Sequence, residues 1–199
     1  ASVGLWTTAA GSAERGDLHL LIRTPRDTAE PFGIAVALMC PHSRGRITLR
    51  SADPHAAPHI DLNFLAEPED ERRMVAGLRL AAELAHSMHL APYIAQVLAP
   101  SVEQLASDTD LLAYARRRVS TYNHAVGSAS MGRDAAAGAV VDQQCQVHGI
   151  AQLQVVDASV MPTIPRANTN LTCIMIGERA ADWMRTEPAP ASHTTHHVL

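Results

Sequence analysis

One histidine of the eleven in this 199-residue chain stands in a distinctive setting. Thr121-Tyr122-Asn123-His124 leads into a run of small residues, Ala125-Val126-Gly127-Ser128-Ala129-Ser130-Met131-Gly132. Histidine exchanges a proton near neutral pH, so His124 has the chemistry of a base toward a hydroxyl group, although it could equally cap the arginine-rich segment before it or fill a loop. Downstream, the apolar stretch Leu153-Gln154-Val155-Val156 ends on Asp157-Ala158, and Asn168-Thr169 precedes the apolar run Leu171–Trp183. An asparagine there can start a helix as its N-cap, and its amide can also donate to an oxygen that gains negative charge. Asp157 reads equally well as a turn or cap residue. The remaining histidine pairs, His55 with His59, His86 with His89, and His193 with His196 and His197, lack a third or fourth converging ligand, so no metal site is expected.

Composition removes several chemistries. All 16 basic residues are arginine, so a Schiff-base lysine, a phosphate-loop lysine and a lysine base are excluded. The formal net charge of −4, with no basic run longer than Arg116-Arg117-Arg118, argues against nucleic acid as a partner. No apolar stretch reaches the roughly 20 residues of a membrane span. The first residues, Ala1-Ser2-Val3-Gly4-Leu5-Trp6, lack the regions of a signal peptide, and a cytoplasmic location is the expectation. Cys40, Cys145 and Cys173 share no metal or disulfide spacing and read as reduced, mostly buried thiols. No GxGxxG, GxSxG, HExxH or Walker motif is present.

The elements that must position these residues are legible from their spacing. Leu18–Ile22 and Ile34–Met39 read as strands, and Arg44–Arg50 as a strand burying Ile47 and Leu49 while Arg46, Thr48 and Arg50 stay wet. Ile60–Phe64 is a short extended segment after two proline-marked turns. A long helix opens at Glu67-Pro68-Glu69-Asp70-Glu71, with the acids matched to its dipole, and ends between Ser87 and Leu90. A second is capped near Ser107 and ends in the solvated arginine triplet. Ser120–Gly132 reads as a loop packed closely against something, Leu153–Val156 as a strand, and Leu171–Trp183 as a helix buried on several sides, with Met175, Ile176 and Trp183 in the core. Pro188 and Pro190 close the fold, and residues 187–199 are expected to form a flexible tail.

Taken in order, Ser43-Arg44-Gly45-Arg46-Ile47-Thr48-Leu49-Arg50-Ser51-Ala52-Asp53-Pro54, the His124 segment, Val155–Pro162, Asn168–Thr172 and Gly177-Glu178-Arg179-Ala180-Ala181-Asp182 resemble the C-terminal signatures of the glucose-methanol-choline (GMC) flavoprotein oxidoreductases. The resemblance implies an α+β fold. Residues 1–120 would form a substrate-binding domain with a mainly antiparallel sheet backed by helices, and residues 121–186 a strand and helix that return to complete a Rossmann-like FAD domain. It implies FAD as cofactor, an alcohol as substrate and oxygen or a quinone-like molecule as electron acceptor. It also implies an N-terminal FAD-binding chain as partner, because the glycine-rich phosphate loop does not occur in these residues. His124 would be the base and Asn168 the donor to the alcohol oxygen, with Asn123, Asp157, Ala158, Asn168 and Thr169 near the cofactor. A lyase or photodecarboxylase of the same family is one alternative, and a colourless binding module that has lost its flavin half is another. Two positions depart from the family pattern: Gly127-Ser128-Ala129 stands where relatives commonly read Gly-Thr-Cys, and Asn123 where an aromatic residue often precedes the histidine.

Overall fold

Strand β2 (Leu18–Arg23) carries the most buried stretch of the N-terminal region, and the first sheet is built around it. In the computed structural model, which describes residues 3–23 and 31–186, β1 (Gly4–Thr7) and β3 (Gly33–Leu38) flank β2, both antiparallel. Trp6 lies opposite His19, and His19 opposite Ala37. Alternation along β2 sends Leu18 and Leu20 to one face, where they pack with Ala9 and Ala81. Helix α1 (Pro68–Ala85) covers that face. Its proline sits in the first turn, as the sequence predicts.

The chain divides into two units, Ala1–His124 with Ile164–Ala167, and Ala125–Thr163 with Asn168–Leu199. The first holds the antiparallel sheet backed by α1, a short hairpin of β4 (Arg46–Thr48) and β5 (His59–Asp61), and helices α2 (Val102–Ala106) and α3 (Asp108–Arg118). This is the α+β architecture expected. Ser107 caps α3 through its side chain, which accepts from the Asp110 amide. The arginine triplet is less free than a solvated helix end: Arg116 pairs with Glu71 of α1, and Arg118 lies over the Tyr114 ring. The hairpin differs from expectation. Ile47 is 55% and Leu49 84% exposed, because among the described residues no layer covers that face.

In the second unit Val141, Cys145 and Val160 form the buried centre, with Met131, Val147, Ile176 and Trp183 packed around them. The predicted strand Leu153–Val156 does not form. Among the described residues of this loop-rich unit only single bridges occur, such as Gln146 with Gln154, with no neighbouring strand to extend the ladder. Helix α4 (Asn170–Thr186) is present, but among its described residues only Ala180 is buried. Ile176 and Trp183 join the core, whereas Met175 faces out at 57% exposure, so the expectation of a helix buried on several sides is corrected. Cys145 is the buried thiol and is pushed above its ordinary range, chiefly by burial and then by the Asp142 charge. Cys40 and Cys173 are half-buried. The expected tail, with Pro188, Pro190 and His193 to His197, lies outside the described residues.

Gly77 sets the approach of α1 to the sheet. A methyl group added there would lie 2.7 Å from Val36 Cγ1 and 3.1 Å from Leu18 Cδ2. Gly77→Val is therefore expected to cost about 1–3 kcal/mol by overpacking, read as a lower midpoint of urea unfolding. An unchanged midpoint would show that the sheet and helix are loosely packed at this point.

Candidate active site

The Pro41–Arg50 segment is held from below by a buried ion cluster. Arg73, fully buried on α1, pairs with Asp70 at 2.6 Å and Asp17 at 3.3 Å, and donates to the Cys40 carbonyl at 2.8 Å. Asp70 in turn accepts from the His42 amide at 2.9 Å, the Ser43 amide at 2.7 Å and the Ser43 hydroxyl at 2.5 Å. The same hydroxyl accepts from the amides of Ala66 and Glu67. Gly45 passes so close to the Asp61 carbonyl that no side chain fits. The Ser43-Arg44-Gly45 motif is thus a fastening of chain to α1, not a reacting group. Asp70, expected to serve the helix dipole, is part of the buried cluster instead.

Burial alone would raise the Asp70 carboxyl. Hydrogen bonds from the His42 amide, the Ser43 side chain and amide, and Arg73 reverse this and hold it below its ordinary value. Asp17 behaves alike: burial opposes the charge, while Ser12, the Ala9 amide and Arg73 lower it overall.

His124 is half-buried on a segment without regular structure after α3. Its ring meets Tyr122 edge to face, centroids 5.2 Å apart at 82°. The Tyr122 hydroxyl lies 3.1 Å from Nδ1 of His19, and the His19 ring stacks on Trp6 at 3.7 Å. Burial holds His19 below its ordinary value, which favours the neutral ring. Asn123, between the two rings, has a left-handed φ of +63°, and its amide donates to Thr121 Oγ1 at 2.9 Å. Asparagine tolerates that conformation far better than most residues, which gives the departure from an aromatic a backbone reason. Asn123→Gly is expected to leave thermal stability nearly unchanged, and Asn123→Val to cost about 1–2 kcal/mol. Equal melting points for the two variants would remove the backbone argument.

In the second unit the small-residue run does pack closely, as the sequence predicts. The amides of Ala129 and Met131 donate to the carbonyls of Ser159 and Val160 at 3.0 and 2.9 Å, and Gly127 takes a φ of +88°. Asp157 is exposed and caps the 3₁₀ turn Ala158–Val160, its Oδ1 accepting from the Ser159 amide at 2.8 Å and from the Ser159 hydroxyl. Its carboxylate therefore serves the turn. Cys173 donates to the Thr169 carbonyl at 2.9 Å, which makes buried Thr169 the residue that starts α4. Asn168, exposed, stands one residue earlier than the N-cap position expected for it.

Asn123 and His124 belong to the first unit, and Asp157, Ala158, Asn168 and Thr169 to the second. Within the latter, the Asp157–Val160 turn and α4 share one core through Val160, Ile176 and Trp183. The first turn of α4 presents amides and a positive dipole end beside Leu171, which is 77% exposed. His19 and Tyr122 escaped the sequence reading. The available signal was a histidine in the apolar strand Leu18–Ile22, at the position facing away from Leu18 and Leu20. Among the described residues no helix is long and apolar enough to cross a membrane.

Comparison with known proteins places these features in a family. The alcohol dehydrogenase (acceptor) of Pseudomonas putida is 40% identical over 151 residues, which is 76% of this chain and 27% of that protein. The chloroplastic fatty acid photodecarboxylase of Chlamydomonas reinhardtii is 39% identical over 160 residues, 79% of this chain and 26% of that protein. This chain therefore spans less than a third of the length of either relative. The crystal structure of pyridoxine 4-oxidase from Mesorbium loti has the same fold, with a TM-score of 0.81 at 21% identity over 94% of this chain and 38% of that one. The profile of the GMC oxidoreductases, C-terminal part, matches residues 41–177, and the chain belongs to that family.

Proposed function

We propose that this chain works in an FAD-dependent alcohol oxidase or dehydrogenase, together with an N-terminal FAD-binding chain, and that His124 is its base. The observation that carries this reading is the half-buried imidazole of His124, packed edge-on against Tyr122 within the matched region. Residues 1–120 serve as the substrate-binding part, and residues 121–186 complete a Rossmann-like FAD domain. An alcohol becomes a carbonyl only when its hydroxyl proton leaves as the C–H hydride departs, so a proton acceptor must stand beside the oxygen. FAD, when bound, accepts the hydride.

His124 takes the hydroxyl proton. Asn168 cannot take a proton, but its amide donates to the oxygen as negative charge builds there. Asn123, Asp157, Ala158 and Thr169 would hold the cofactor through their main chain; the Asp157 carboxylate is already engaged by Ser159. The amides that open α4 favour negative charge at that end of the helix. Oxygen or a quinone-like molecule would be the electron acceptor of such an enzyme.

Two results test the reading together: the yellow absorption of the purified assembly, and its bleaching under anaerobic conditions by members of an alcohol panel. A colourless assembly, or one that no alcohol bleaches, would overturn it. The similarity to the fatty acid photodecarboxylase favours one other reading, a non-oxidative flavin reaction. Light-dependent turnover of a fatty acid, with no bleaching by any alcohol, would select that reading.

A further inference from the structure

We propose that Tyr122 and His19 are positioning residues for His124, a relay of ring contacts that sets the orientation of the imidazole from the central strand of the sheet. The proposal rests on His124 being the base. His124 lies on a segment with no regular hydrogen-bond ladder of its own, so neighbouring side chains must fix its ring. Tyr122 is one such neighbour, edge to face at 5.2 Å. Its hydroxyl is pinned 3.1 Å from His19 Nδ1, and its ring meets the His19 ring at 77°.

His19 is itself rigid. It stands on β2 between two partner strands, is 2% exposed, and stacks on Trp6 with only 12° between the ring planes. Gly4, two residues before Trp6 on β1, leaves room for the ring where any side chain would collide with Nε2. The rings of Trp6, His19 and Tyr122 therefore connect the sheet to His124, and the left-handed residue Asn123 lies between Tyr122 and His124.

The polar character of the relay is costly in terms of stability alone. His19 Nε2 is buried with no hydrogen-bond partner among the described residues. A phenylalanine would fill the same space against Trp6 without a buried unpaired nitrogen, at the cost of the bond to the Tyr122 hydroxyl. What histidine adds is direction: Nδ1 fixes where the tyrosine hydroxyl, and so the tyrosine ring, must lie.

The test uses the FAD-loaded enzyme that contains this chain, with Tyr122→Phe, His19→Phe, the double variant and His124→Ala. In steady-state alcohol oxidation, Tyr122→Phe is expected to lower kcat about tenfold while KM stays within about twofold, because a loosened base affects the transition state more than substrate binding. His19→Phe should match it, and the double variant should be no worse than either single change, since all three break one hydrogen bond. Flavin content and melting temperature are measured on each variant. If His19→Phe does not fold, Tyr122→Phe decides alone. A Tyr122→Phe enzyme with the kcat of the parent, or one altered only in melting temperature, overturns the relay while His124→Ala remains inactive. A His124→Ala enzyme of normal rate overturns both the relay and the function it rests on.

Discussion

Replacing His124 with asparagine is expected to slow flavin bleaching by an alcohol about 10²–10⁴-fold, the range that a lost general base produces. Asparagine keeps a hydrogen-bonding group of similar reach but cannot accept the hydroxyl proton, so the hydride would have to leave an undeprotonated alcohol. The effect should fall on the maximal rate. The alcohol concentration giving half that rate should move much less, because the hydrogen bond to the substrate oxygen can still form. Anaerobic mixing of the yellow enzyme with a saturating alcohol, followed at the flavin absorbance, separates the two quantities. The steric change is small: the ring faces Tyr122 at its edge, and asparagine leaves that contact partly filled. A rate within about threefold of the parent would mean that another group takes the proton, and the role of His124 would be withdrawn.

The parts of this molecule that follow local rules were legible in the sequence. Pro68 and Ser107 mark the starts of α1 and α3, and short apolar runs mark β2 and β3. The small-residue run from Ala125 packs as its composition implies, through main-chain bonds to Ser159 and Val160. What the sequence hid were pairings made over distance. Asp70 looks like any acid in a first turn, and only the fold brings Ser43 and Arg73 to it. His19 looks like a polar interruption of a strand until Trp6 and Tyr122 close on it from opposite ends of the first unit. Misreadings ran the other way for Ile47, Leu49 and Met175. Apolar periodicity reveals that a face seeks cover but not whether this chain supplies it, and here those side chains are exposed.

The buried cluster should carry the largest stability effect of any single position. Arg73→Leu leaves the Asp17 and Asp70 carboxylates buried without their cation, and removing one partner from such a group costs about 3–5 kcal/mol. The pH dependence identifies the mechanism. In the parent both carboxyls are held below their ordinary value of 3.8, so their contribution is complete above that value and is lost as pH falls through the folded-state values. In the variant the hydrogen bonds from His42, Ser43, Ser12 and the Ala9 amide remain but the lowering due to Arg73 is lost, so both carboxyls titrate higher than in the parent and protonation relieves part of the buried charge. The gap in stability between parent and variant is therefore expected to be widest near neutrality and to shrink on acidification toward about pH 4. Urea unfolding of both proteins across that range measures it. A gap that stays constant with pH would assign the loss to packing of the arginine stem against α1 and the sheet. A gap that shrinks shows that Arg73 acts by neutralising Asp17 and Asp70, the latter being the carboxylate that ties His42 and Ser43, just ahead of the β4–β5 hairpin, to α1.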